Sequence, residues 1–235
     1  MSAVEHGKGR PPRDGGVSLP ELIVTMMLIS VLSLVVLGLV SSISRTFTRD
    51  RSATDSTNIA AVGMNEITRV IRSGTEIPMT GGRRPVFIAA GAEFLEMHAF
   101  LDTSAADPQP VKVRFEVSGS RDLTEHRWFA NAASEPNWTF VGTATSPSTS
   151  RVIARKISPV AAAPVFQYYD SLDRDAVALV IPGSGFTATQ LASIVRVEVT
   201  LSVQADLTAR AEPVVLTNTV GIPNLGVNLL GAATP

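Results

Sequence analysis

The chain has 235 residues, 45% of them apolar, and a net charge of −1. That is enough for one modest domain plus an appendage, without the basic excess that a nucleic-acid partner requires. It contains no cysteine, which excludes a disulfide framework, a thiol nucleophile and sulfur-ligated zinc.

Residues 1–16 are hydrophilic and rich in Gly and Pro, with Lys8, Arg10 and Arg13 set against Glu5 and Asp14, and they end at Gly15-Gly16. An apolar run follows at once. Residues 22–44, 23 in all, carry no charge. As a helix they extend roughly 35 Å, against about 30 Å for a hydrocarbon core. Thr25, Ser30, Ser33 and Gly38 interrupt the run, but such residues are satisfied within a helix or against another one. A lone carboxylate, Glu21, stands at its start, and a charge beside hydrocarbon is costly enough to mark function. A single-pass anchor accounts for the length of the run. A cleaved secretory signal fits poorly, because its apolar region is about 7–15 residues and ends in an Ala-x-Ala-like site. Val40-Ser41-Ser42 is a poor match to such a site.

The stretch Gly16-Val17-Ser18-Leu19-Pro20-Glu21, a basic leader before it and an apolar run after it, resembles the prepilin signature of type IV pilins and type II secretion pseudopilins. It departs in two places: Val17 stands where Phe is commoner, and Pro20 where an aliphatic residue is usual. Proline is tolerated in the first turn of a helix, where its missing N–H had no partner. The resemblance implies cleavage after Gly16 by a membrane-bound prepilin peptidase and N-methylation of Val17. It further implies that Glu21 pairs with a neighbouring subunit's N-terminal ammonium during assembly. Losing one member of a buried ion pair costs about 3–5 kcal/mol, so such pairing would select one docking register. An acid that merely favours the helix macrodipole is worth about 0.3–1 kcal/mol and leaves the preceding Gly-Val-Ser-Leu unexplained. Lys8, Arg10 and Arg13 favour a cytoplasmic N-terminus by the positive-inside rule, which Arg45, Arg49 and Arg51 at the other end blur. The family's cytoplasmic leader decides for that orientation. The partners implied are the prepilin peptidase, other pilin or pseudopilin subunits, cytoplasmic-membrane lipid and an assembly platform. The implied location is the cytoplasmic membrane, crossed once, and then a cell-surface or periplasmic filament.

Thr46 to Asn58 is polar all round. Helical periodicity returns with Ile59, Val62, Ile67, Val70 and Ile71 on one side and Asn58, Asn65, Arg69 and Arg72 opposite. Ser73-Gly74 ends it. The expectation is one long helix from about Leu19 to Ser73, with weak helicity or a kink near 48–57. The chain accordingly divides into a leader at 1–16, a helix at 17–73 whose membrane segment is about 22–44, and an extracytoplasmic β-rich domain at 74–235.

From Pro85 the period changes to two. Val111–Val117 alternates without error, and Ser193–Val203 does so again. Further strands are expected at Val86–Ala90, Phe94–Phe100, Leu123–Phe129, Arg151–Ile157, Val165–Tyr169, Ala176–Ile181 and Val214–Val220, with no second helix. Turn signals stand at Gly81-Gly82, Ser118-Gly119, Pro182–Gly185 and Pro223-Asn224. Residues 131–150 read as a long surface excursion. The fold class is α+β: a long N-terminal helix packed on an antiparallel sheet, the sheet's other face solvated. The order "VRFEVSG…LTEHRW", "FQYYDS" and "SIVRVEVTLSV…LTNTV" further resembles J-type minor pseudopilins.

Chemistry-bearing residues are sparse, and no catalytic or cofactor site is expected. His6 lies in the leader; His98 and His126 lie on strands and read as solvated. Ser184 lacks a Gly-x-Ser-x-Gly frame. Gly81-Gly82-Arg83-Arg84 lacks the strand-to-helix context of a phosphate loop. Asp170, Asp173 and Asp175 are weak calcium candidates in a connection, although Asp is common in turns. Trp128, Trp138, Tyr168 and Tyr169 read as core or loop staples before interface anchors. Asn137-Trp138-Thr139 matches a glycosylation sequon. The rival class is an unprocessed, membrane-anchored extracytoplasmic binding module.

Overall fold

The computed structural model describes residues 16–101, 108–143, 145–159, 163–205, 212–223 and 225. The chain divides into two units, one ending at Thr48 and the other beginning at Arg49. Residues 1–15 of the leader, His6 among them, and Asn224 of the Pro223-Asn224 turn lie outside the described residues.

In the first unit, helix α1 (Leu19–Arg72) begins two residues after Val17. Residues 16–48 are all exposed. Some hydroxyls in this part bond to the helix itself: Thr25 Oγ1 donates to Leu22 O at 2.9 Å and Ser30 Oγ to Met26 O at 2.8 Å. The same bonding continues through Thr46, Thr48, Thr54, Ser56 and Thr57, each to the carbonyl four residues back. Residues 48–57 are therefore uninterrupted helix despite their polarity.

In the second unit the end of α1 packs on antiparallel sheets, an α+β fold. Its buried side runs Ser56, Ala60, Gly63, Met64, Ile67, Val70 and Ile71. Val62, expected on that side, is 64% exposed. The small residues decide the seam: at Gly63 an added Cβ would lie 2.9 Å from Ala154 Cβ and 3.3 Å from Leu201 Cδ1. Backbone and sheet meet there as closely as glycine allows.

The strands are β1 (Ile77–Met79), β2 (Gly82–Arg84), β3 (Phe87–Ala90), β4 (Phe94–Ala99), β5 (Val111–Val117), β6 (Leu123–Phe129), β7 (Thr149–Ala154), β8 (Phe166–Tyr169), β9 (Arg196–Val203) and β10 (Val214–Gly221). A short helix, α2 (Ala188–Ser193), precedes β9. β1 and β2 form a hairpin turned at Gly81, whose φ is +85°. The rest make two sheets, ordered β3-β4-β5-β6-β7 and β10-β9-β8.

Alternation sets the faces. Leu95, Met97, Val111, Val113, Phe115, Val117 and Leu123 line the inner face of the five-stranded sheet; Val197, Val199, Leu201 and Val203 line that of the three-stranded one. The sheets are joined where the chain leaves β7: Ile157 bridges Val203, and Ser158 N donates to Ser202 O at 2.7 Å. Tyr168 locks them again. Its hydroxyl lies 2.8 Å from Gly91 O and 3.0 Å from Phe94 O, and accepts from Gly91 N at 3.2 Å.

Four expectations are corrected. Ala176–Ile181 is not a strand: Leu179 N donates to Tyr168 O at 2.8 Å, but no ladder develops. A second helix exists, fixed by a capping box between Thr187 and Gln190. It takes Ser193 out of the following strand, which starts at Arg196. The sheet's outer face is not uniformly solvated. The 131–150 excursion returns over it: Trp128 Nε1 donates to Thr143 O at 2.7 Å, and the His98 ring stacks on Phe140 with centroids 5.5 Å apart. Trp138, inside that excursion, is buried, and its carbonyl accepts from Arg84 Nη1 at 2.9 Å. The loop is therefore a cover with its own core residues.

Candidate functional site

Gly16, Val17 and Ser18 precede the helix in non-helical conformation, and all are exposed. Among the described residues, nothing lies within 4 Å of the position a Cβ would take at Gly16. The first helical bond runs from Leu22 N to Ser18 O at 3.0 Å. Pro20 then falls in the first turn, where its lack of N–H costs no bond. Glu21 lies in that same turn and is exposed, next to the unpaired N–H groups of the helix start. Beyond it the surface is apolar in every direction, from Leu22, Ile23 and Val24 to Leu39, Val40 and Ile43. The helix is long and apolar enough to cross a membrane.

The other sequence candidates are scattered. His98 is buried, not solvated: its Nδ1 lies 2.9 Å from Pro85 O, and burial pushes its pKa down to about 4. His126 is partly buried, 3.0 Å from Ser150 Oγ through Nδ1, and desolvation lowers its pKa. Ser184 sits in a turn whose Gly185 N donates to Pro182 O at 2.9 Å. Arg83 pairs with Glu76 at 3.2 Å. Asp173 Oδ1 accepts from Asp175 N at 3.2 Å, and Asp173 N donates to Ser171 Oγ. These bonds turn the chain locally. Asp170, Asp173 and Asp175 do not assemble: among the described residues no three His, Asp or Glu side chains are grouped so as to hold a metal. Asn137 of the sequon is exposed, but its Nδ2 donates to Thr80 Oγ1 at 2.9 Å and its Oδ1 accepts from Thr80 N.

Sequence reasoning missed a charged cluster between helix and sheet. Glu125, with a side chain 0% exposed, accepts from Arg127 Nε at 2.7 Å and Arg151 Nε at 2.5 Å. Glu66 on α1 accepts from Arg69 Nη2 at 2.5 Å, from Arg127 Nη2 at 3.0 Å and from Arg151. The Arg69 hydrogen bond leads the effects holding the Glu66 carboxyl below its usual range. The signal was present: alternation along β6 puts Glu125 and Arg127 on the same face as Leu123, the face that packs on α1. Three guanidiniums around two carboxylates leave neither acid unpaired, which lets Glu125 occupy that face.

No protein-family model and no curated protein matches this chain.

Proposed function

We propose that the chain is a non-enzymatic fibre subunit, a minor pilin or pseudopilin. In this reading it is inserted in the cytoplasmic membrane with its N-terminus inside, cut after Gly16, methylated at Val17, and assembled into a type IV pilus or a type II secretion-like filament. The observation that carries the reading is the conjunction at residues 16–21. Gly16 and Val17 are exposed and non-helical, and the helix starts two residues after Val17 with Glu21 in its first turn. A surface with no charge from 22 to 44 comes next.

The physical logic runs in two stages. Each Leu, Val or Ile removed from water gains about 1.5–3 kcal/mol, so the exposed run requires cover, first from lipid. Moving from lipid into a fibre brings almost no further hydrophobic gain. The drive and the register must then come from close packing and from a polar pair. Cleavage creates an ammonium at Val17, and Glu21 is the carboxylate available to a neighbour's ammonium once water is excluded. The α+β architecture, with a long N-terminal helix and an antiparallel β-domain, supports the same reading.

Co-expression of the full chain with a prepilin peptidase tests this directly. Mass spectrometry is expected to find a mature chain beginning at Val17 and carrying one added methyl group. Glu21→Ala is expected to be processed and to remain in the membrane, yet to lose incorporation into sheared filaments by tenfold or more. An intact leader would favour a permanently anchored binding module.

A further inference from the structure

Arg196 opens β9 on the outer face of the three-stranded sheet, with Tyr169 and Gly221 as its cross-strand neighbours. It is only 7% exposed. Its guanidinium carbon stands 4.0 Å from the centroid of the Tyr169 ring. On the other side Gly221 contributes no side chain, and Leu172 Cδ2 lies 3.8 Å from where a Cβ would be.

Among the described residues, Arg196 Nε and Nη2 are both buried and have no hydrogen-bond partner. These atoms form one edge of the guanidinium, two parallel N–H groups at the spacing of the two oxygens of a carboxylate. The chain shows that edge in use elsewhere: Arg69 reaches Glu66 Oε2 through Nε at 3.2 Å and Oε1 through Nη2 at 2.5 Å. An acid does share the face of Arg196, Glu198 two residues on, but it accepts from Thr219 Oγ1 at 3.3 Å. At the same two-residue spacing Arg114 pairs with Glu116, and Arg127 with Glu125. Strand geometry therefore permits such a pair, and Arg196 lies on Tyr169 instead. A ring face satisfies the charge in part and none of the N–H groups. A buried cation with an open fork calls for an anion.

We propose that the Nε/Nη2 edge of Arg196 binds a carboxylate group, lying flat beside the Tyr169 ring. A planar monoanion suits the slot better than phosphate. Phosphate is tetrahedral, and its second charge would add to the repulsion from Glu198, which shares the face of Arg196. Leu172, beside Gly221 across the strand from Arg196, is 72% exposed and lies in a connection without regular structure. The carboxylate comes either from a small free acid or from an acidic side chain of another protein.

The full chain in detergent micelles tests the site. With acetate about tenfold above half-saturation, Tm is expected about 3–6 °C higher than in chloride of equal ionic strength. Arg196→Met is expected to abolish that difference. Should the variant fail to fold, the 15N resonance of Arg196 Nε in the unsubstituted protein, expected to move on acetate addition, decides instead. N-acetylglutamate amide distinguishes the sources: a midpoint equal to that of acetate points to a free acid, and one at least tenfold lower to a protein side chain. Two results overturn the proposal. One is no acetate effect on Tm or on the Nε resonance. The other is a shift of that resonance by Glu198→Gln without acetate, which would mean that Glu198 already fills the fork.

Discussion

His98 has two ring faces and two nitrogens to place, and the cover formed by residues 131–150 takes one face while Pro85 takes a nitrogen. Phe140 stacks on the ring and Pro85 O meets Nδ1, leaving little room for water around an imidazolium. Its pKa falls from 6.5 to about 4 through burial, opposed by the Pro85 hydrogen bond and Glu96 and assisted by Arg84 and Lys112. In the unfolded chain the ring takes its proton near pH 6.5; in the folded chain it does so only near pH 4. The stability it contributes is therefore complete above pH 6.5 and is lost as pH falls toward 4. Between pH 7 and pH 4.5 the loss is about 2.5 kcal/mol. Urea unfolding of His98→Gln at the two pH values is expected to show a pH dependence smaller by about that amount; an unchanged dependence would mean that the ring is not shielded. This burial was not legible in the sequence, because alternation tells which face a residue takes and not what later covers that face. The same holds for Arg196, whereas Glu125 takes its buried face from the alternation along β6 itself. The motif at Gly16, Val17 and Glu21 needs no distant chain to be read, because it is short and local.

At the scale of elements, legibility followed the strength of the local pattern. Val111–Val117 and Leu123–Phe129 are found where strict alternation puts them, and α1 ends at Arg72, one residue before the expected Ser73. Ala176–Ile181 has the composition of a strand but only one hydrogen bond to β8, and a strand requires a partner as well as a propensity. α2 is six residues long, too short for periodicity to register; its signal was the Thr187/Gln190 box. The face of α1 was misjudged at Val62 because large apolar residues were counted and small ones were not. Ser56, Ala60 and Gly63 carry the close contact. Gly63→Ala measures how close it is. Helix propensity alone favours alanine by about 1 kcal/mol, yet the new Cβ would meet Ala154 Cβ at 2.9 Å, and that neighbour is fixed to the backbone. Overpacking should prevail, with a net loss of about 1–2 kcal/mol in chemical denaturation. A stabilised variant would show that helix and sheet separate easily.

For the whole molecule, the α+β class and its long N-terminal helix were readable from two periods, 3.6 and 2. The division into two sheets was not, since it depends on how the chain crosses from β7 to Val203 through Ile157. The second unit carries its own core, from Ala60, Ile67 and Ile71 through Phe115 and Val117 to Phe166 and Leu201. A chain beginning at Arg49 is therefore expected to stay in solution without detergent and to melt within about 5 °C of the full chain in one cooperative step. Aggregation or a broad transition in differential scanning calorimetry would contradict that independence. Because the Tyr168 hydroxyl is held by the main chain of residues 91–94, neither sheet can loosen without stranding a phenol whose ionisation burial already opposes. Amide protons at the centres of both sheets should therefore trade with deuterium through a single shared opening, so that the β-domain behaves as one foldon.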